Sequence, residues 1–194
     1  METNHHPSES WLLDYALGNL PESFEVIIRP HVWVCTQCRD AIAFAERLGG
    51  NMLAATPVAD HTIDARAICD NHEQEEMQAG AMSRAEDVAV ADDIEQLVAT
   101  YLSSSLNALP WRRIGKGLRI CRLSEHEGTQ MWMLRGEPGM VLPDHTHVGS
   151  ELTLVLKGAY FCGSDIYSAG DIEDADESTE HQPVITRDDE CICL

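Results

Sequence analysis

The stretch GMVLPDHTHVGSELTLVLKG, Gly139 to Gly158, decides the fold. His145 and His147 lie two residues apart, and on a strand residues at that spacing point to one face. Both imidazoles therefore aim at one place. Glu151 follows after a Val-Gly-Ser turn and opens Leu152 to Leu156, an apolar run rich in β-formers and closed by Gly158. Two neutral nitrogens and a carboxylate suit a divalent transition metal. A fourth ligand must come from another part of the chain, and His181 is the candidate.

At every fixed position and spacing the stretch resembles the first motif of the cupin superfamily, G-x5-H-x-H-x3-E-x6-G. The second motif of that superfamily, G-x5-P-x-G-x2-H-x3-N, falls on Gly170, Asp176, Ser178, His181 and Ile185. The glycine and the histidine are kept, and the Pro, the second Gly and the Asn are replaced. The resemblance implies a β-barrel or jelly roll with zinc or another divalent transition metal on His145, His147, Glu151 and His181.

The chain has 194 residues, 44% of them hydrophobic, enough for one large domain or two small ones with packed cores. Its net charge of −20 repels nucleic acid and anionic membranes and favours a partner with a basic surface. No apolar run reaches the roughly 18 residues of a membrane helix, and the N-terminus lacks a basic start and an apolar core of the secretory kind. The expectation is a cytoplasmic protein with a protein partner, no direct nucleic acid and no membrane. Seven cysteines without an export signal point to metal ligation or redox chemistry, with some buried as small apolar residues.

The N-terminal third reads as helices. Trp11, Leu12, Tyr15 and Ala16 recur at helical spacing over Ser8 to Leu17, with Gly18 as a stop. Asn19-Leu20-Pro21-Glu22 reads as a new start capped by Asn19, and Pro30 should kink or end that helix. His31, Cys35 and Cys38 follow: His31 and Cys35 are one helical turn apart, and a C-x2-C pair bends round one ion. The same spacing suits a redox pair, but its βαβ context is missing. Structural zinc takes four ligands, and His5 or His6 can supply the fourth. A third helix is expected from Arg39 to Leu48, ended by Gly49-Gly50. H-x3-C-x2-C in a helical domain resembles the zinc-binding anti-sigma factor domain. With a cupin motif behind it, the whole chain resembles a ChrR-type anti-sigma factor. That resemblance maps the N-terminal ligand to His6 and matches the C-x-C at Cys191 and Cys193 near the end.

Residues 61 to 78 read as a marginal acidic helix, either the sigma-binding helix that the resemblance implies or a solvated helix or linker, with a joint at Gly80-Ala81. Asp92 to Leu106 is a better helix. From Trp111 short β-type runs with glycine turns argue an antiparallel barrel. Asp171 to Glu180 is an acidic, low-complexity run. The reading is α+β with two domains: a small zinc-binding helical bundle over 1–80, a linker and lead-in helix over 81–110, and a cupin barrel over 111–194. The resemblance implies a regulator that sequesters an extracytoplasmic-function sigma factor and releases it under oxidative stress, by singlet oxygen or organic peroxide. Cys191 and Cys193, on one face of a strand, are the redox candidates. The alternative is a metal-dependent cupin dioxygenase or isomerase with an accessory zinc domain. Against it, the motif holds no second carboxylate or arginine to position a substrate.

Overall fold

The computed structural model describes residues 3–56, 94–126, 128–146 and 148–194. Helix α1 (Glu9–Leu17) ends where Gly18 adopts the left-handed conformation, its N–H and that of Asn19 returning to Tyr15 and Asp14 carbonyls. Helix α2 (Glu22–Val34) is entered from Pro21, not from Asn19, and no side chain caps it. Pro21 already has the extended backbone of an N-cap, so the chain turns into the helix two residues later than the Asn signal implies. Pro30 does not end α2, which runs on to Val34. Helix α3 (Thr36–Ala55) passes straight through Gly49-Gly50, seven residues beyond the expected stop. Each glycine costs about 1 kcal/mol against Ala, too little to break a 20-residue helix. It stops at Thr56, held extended by the Pro that follows in sequence. The marginal helix at 61–78 and the Gly80-Ala81 joint lie outside the described residues.

Helix α4 (Ile94–Tyr101) packs its buried Ile94 and Val98 across α2, and the Tyr101 hydroxyl donates to Glu22. It ends five residues before the expected Leu106, which instead opens a 3₁₀ turn (Leu106–Ala108). Eleven strands follow: β1 (Arg112–Arg113), β2 (Leu118–His126), β3 (Thr129–Gly136), β4 (His145–Thr146), β5 (Glu151–Lys157), β6 (Ala159–Cys162), β7 (Asp165–Ser168), β8 (Ile172–Ala175), β9 (Glu180–His181), β10 (Val184–Ile185) and β11 (Cys191–Cys193). They pair antiparallel into a six-stranded sheet of order β1-β2-β3-β11-β5-β8, a three-stranded sheet β10-β6-β7 and the pair β4-β9. The helical half and the barrel of the α+β reading are both present. The acidic run is a correction: its first half is β8, and Asp171, Ile172, Glu173 and Ala175 are all buried.

β5 explains its own apolar sequence. The barrel takes one face and α2 and α4 cover the other, so Leu152, Leu154, Val155 and Leu156 are all buried. One apolar cluster therefore runs from Leu12, Ile27, Ile28, Ile94 and Val98 into Met133, Leu154 and Leu194. A second fills the barrel around Val155, Tyr160, Ile185, Cys191 and Cys193. Gly158, the last glycine of the motif, turns β5 into β6 at φ +72°, and a Cβ there would stand 2.1 Å from the Glu190 carbonyl oxygen. Only glycine meets both conditions.

Glu190, next to β11, closes this corner. Arg135 donates to both its carboxylate oxygens at 2.8 and 2.9 Å, and Lys157 donates to it at 3.2 Å. The bond from Arg135, ahead of that from Lys157, holds the Glu190 carboxyl below its usual range. A folded-state pKa below the unfolded one adds stability above the unfolded value, and that stability is lost as pH falls through the folded one. Glu190→Gln should therefore lower the urea midpoint by roughly 1 kcal/mol equivalent at neutral pH. The gap to the wild type should close as pH falls below about 4. Parallel urea titrations at several pH values check both.

Candidate metal centres

The helical centre is assembled at one chain reversal. His31 sits in the last turn of α2, and Cys35 ends α2 and begins α3. Its sulfur accepts from the Cys38 backbone N–H at 3.4 Å. Cys38 lies in the first turn of α3, where backbone N–H groups favour negative charge. His6 arrives from the N-terminal segment, and its Nδ1 stands 3.4 Å from His31 Nε2, 3.4 Å from Cys35 Sγ and 3.6 Å from Cys38 Sγ. His31 Nε2 is 3.2 Å from Cys38 Sγ. His5 points elsewhere and stacks on Tyr167 at 4.1 Å. The choice between the two histidines falls to His6.

These distances test the fit to zinc. Metal–nitrogen bonds of about 2.0–2.1 Å and metal–sulfur bonds of about 2.3 Å round a tetrahedral ion place neighbouring donors roughly 3.3–3.8 Å apart. The four donor atoms all lie within 4.8 Å of one another, and the named pairs fall on or next to that range. Nδ1–H of His31 donates to the Gly170 carbonyl at 2.6 Å, which leaves the Nε2 lone pair facing the cluster. Burial pushes the His31 pKa down, so the ring is neutral as a ligand must be. Burial, with Cys35 alongside, pushes the Cys38 thiol up to about 12. A bound cation would offset that cost and hold both sulfurs as thiolates, and His6, His31, Cys35 and Cys38 would hold zinc as folding energy.

In the barrel, β4 pairs with β9 so that His145 faces His181 in register. Each ring commits its Nδ1–H to an acceptor, His145 to the Pro143 carbonyl at 2.9 Å and His181 to Glu173 at 2.7 Å. The two Nε2 atoms then meet at 3.2 Å, close enough for both to reach one ion. The pair fits a metal in that sense. Glu151, at the start of β5, lines the same cavity of about 910 Å³. His147 lies outside the described residues. The turn before His181 departs from the Pro-x-Gly pattern as the substitutions require: the Asp176 carboxylate accepts from the Ser178 N–H at 2.9 Å and its hydroxyl at 2.6 Å, an Asx-type turn.

The sequence reading missed Glu173, hidden in the acidic run. It is buried, takes the His181 Nδ1–H, and accepts the Tyr160 hydroxyl at 2.5 Å. Cys162 Sγ also stands 3.3 Å from His181 Nδ1. Cys162, Glu173 and His181 cluster closely enough to hold an ion, but Nδ1 carries a proton there. The three form an outer layer behind the His145–His181 pair, not a third centre. Burial pushes the Cys162 thiol up to about 12. Cys191 and Cys193 place their sulfurs 3.5 Å apart and border the cavity. The bond from Cys191, followed by burial, pushes the Cys193 thiol up.

Elemental analysis of the purified protein should give close to two metal equivalents. Cys35→Ser with Cys38→Ser should remove one, and His145→Ala with His181→Ala the other. A single equivalent, wholly lost with the cysteines, would show the barrel pair to be metal-free.

The ChrR cupin-like domain family matches residues 101–194. Over 195 aligned residues the chain is 34% identical to the anti-sigma-E factor ChrR of Cereibacter sphaeroides, spanning 100% of this chain and 89% of that one. A solved structure of Rhodobacter sphaeroides SigE in complex with the anti-sigma ChrR matches with a TM-score of 0.77 at 32% identity, covering 99% of this chain and 97% of the matched chain. With a relative at that identity over the whole of this chain, the chain belongs to the ChrR family of anti-sigma factors.

Proposed function

We propose that this chain sequesters an extracytoplasmic-function sigma factor through its zinc-bearing helices and releases it when the barrel meets singlet oxygen or an organic peroxide. The observation that carries the binding half is the free side of α3. Of its 20 residues only Cys38 and Ile42 are buried. Phe44, Leu48 and Met52, spaced by four along one face, are 62%, 53% and 67% exposed. An apolar stripe of that kind marks a protein-binding helix face. The full-length relative and the SigE–ChrR complex supply the partner class. Residues 1–80 would hold the sigma factor, 81–110 connect, and 111–194 sense.

The release half rests on the barrel's chemistry. The His145–His181 pair and the two-thiol strand border one cavity, where an oxidant could reach a bound metal or sulfur. The net charge of −20 suits a basic protein partner and argues against direct contact with nucleic acid. Among the described residues no helix is long and apolar enough to cross a membrane. A regulator of a sigma factor works in the cytoplasm, where its partner is made. The dioxygenase or isomerase alternative is set aside, since the relative that matches from end to end is a regulator.

The test is capture of an extracytoplasmic-function sigma factor from the same source as this chain. Wild-type protein with zinc should retain it and let it go on addition of an organic peroxide. Phe44→Glu with Leu48→Glu should bind zinc normally yet lose sigma, at roughly 30-fold for each hot-spot residue. Full retention by the double variant would remove α3 from the interface. Retention of sigma by the wild type through peroxide and singlet-oxygen treatment would contradict the sensing half.

A further inference from the structure

The two centres share one piece of backbone. Gly170 accepts from ligand His31 through its carbonyl at 2.6 Å. Asp171, fully buried, accepts the backbone N–H groups of Asn4 and His5 at 2.7 and 3.1 Å, just ahead of ligand His6. Ile172 N–H returns a bond to the His5 carbonyl at 3.2 Å. Glu173 takes the Nδ1–H of His181 in the barrel. Asp174 accepts from the Ser8 N–H at 3.0 Å and the Trp11 indole at 3.2 Å. Of five consecutive residues, four bond the N-terminal half, Gly170 through the ligand His31 itself, and Glu173 alone holds the barrel histidine.

We propose that segment 170–174 is a common outer shell for both metal centres, with Glu173 the positioning residue of the barrel site, so that the metal state of the barrel sets how tightly the helical site grips zinc. Outer-shell partners of a ligating histidine fix its tautomer and ring angle, and losing one typically costs 10–100-fold in metal affinity. Glu173 does this for His181, and the Gly170 carbonyl does it for His31. Gly170 sits in the turn just ahead of β8, three residues from Glu173. β8 is hydrogen-bonded to β5 through the register Glu151↔Ala175 to Leu154↔Ile172, and Gly170 N–H and the Asp171 carbonyl bond Val155 of the same strand, so the whole segment is tied to β5. A change in the His181 ring on losing its metal pulls on Glu173, and this tied segment carries the pull to Asp171 and Gly170. The regulatory consequence rests on the proposed function. The coupling itself needs no sigma factor.

Cobalt titration of the full-length apo-protein separates the sites, because only the helical site gives thiolate-to-cobalt charge-transfer bands. Glu173→Gln should weaken the barrel site, followed by its d–d bands, 10–100-fold. Tyr160→Phe, which keeps the core volume and removes one bond to Glu173, should weaken it in the same direction. Emptying the barrel by His181→Ala should shift the cobalt affinity of the helical site by about fivefold or more. By linkage an empty helical site, as in Cys35→Ser with Cys38→Ser, should shift the barrel affinity by the same factor in the same direction. Barrel affinity within twofold of wild type in both Glu173→Gln and Tyr160→Phe would overturn the positioning role. Charge-transfer titrations that superpose for wild type and His181→Ala would overturn the coupling, whatever the outcome of sigma capture.

Discussion

A histidine with no exposed surface and a carbonyl from the far end of the chain hold this molecule together. His31 is fully buried, one nitrogen toward the cysteines and the other bonded to Gly170. The bond spans 139 residues of sequence. A buried ring cannot leave either nitrogen unsatisfied without costing about 1–3 kcal/mol. The helical zinc site is therefore complete only when the barrel has folded beside it. Asp171 repeats the logic on the N-terminal segment, taking amides that no helix or sheet would satisfy. Among the described residues no buried side-chain nitrogen or oxygen lacks a partner.

The apolar core follows the same plan. Ile28 of α2 and Leu154 of β5 belong to one buried cluster, so no clean seam divides helices from barrel. α4, whose sequence reads as a lead-in to the barrel, lies across α2 and on β5 and seals the join. In such an arrangement a change in the barrel has a short mechanical route to the helices. A regulator that senses in one half and holds its partner with the other needs such a route, since a ligand shifts an equilibrium only by its differential grip on the two states.

The residues that cluster were legible in the sequence because the spacing of candidate ligands is a local property. His31, Cys35 and Cys38 follow from one helix turn and one reversal, and the β4–β9 register brings His145 to His181 as the motif resemblance implies. What escaped was long-range. Asp171 and Glu173 stand in an acidic run, and their burial depends on a tail 166 residues away and on a histidine across the barrel, while Asp174 between Glu173 and Ala175 stays exposed. The run of buried positions in β8 has no period of two, because the N-terminal segment covers one side and the cavity the other. Gly49-Gly50 and Pro30 misled in the opposite way: local penalties of a few kcal/mol at most are overridden once α2 is packed and α3 is long. Asn19 misled because a favourable capping residue competes with the chain's entry angle, here set by Pro21.

The central claim is that helical zinc site and barrel form one cooperative unit. Differential scanning calorimetry of the fully metallated chain tests it most directly. One unfolding transition is predicted, with calorimetric and van't Hoff enthalpies in agreement. Two resolved transitions, the lower one removed by chelating the cysteine-bound metal while the upper stays in place, would contradict it.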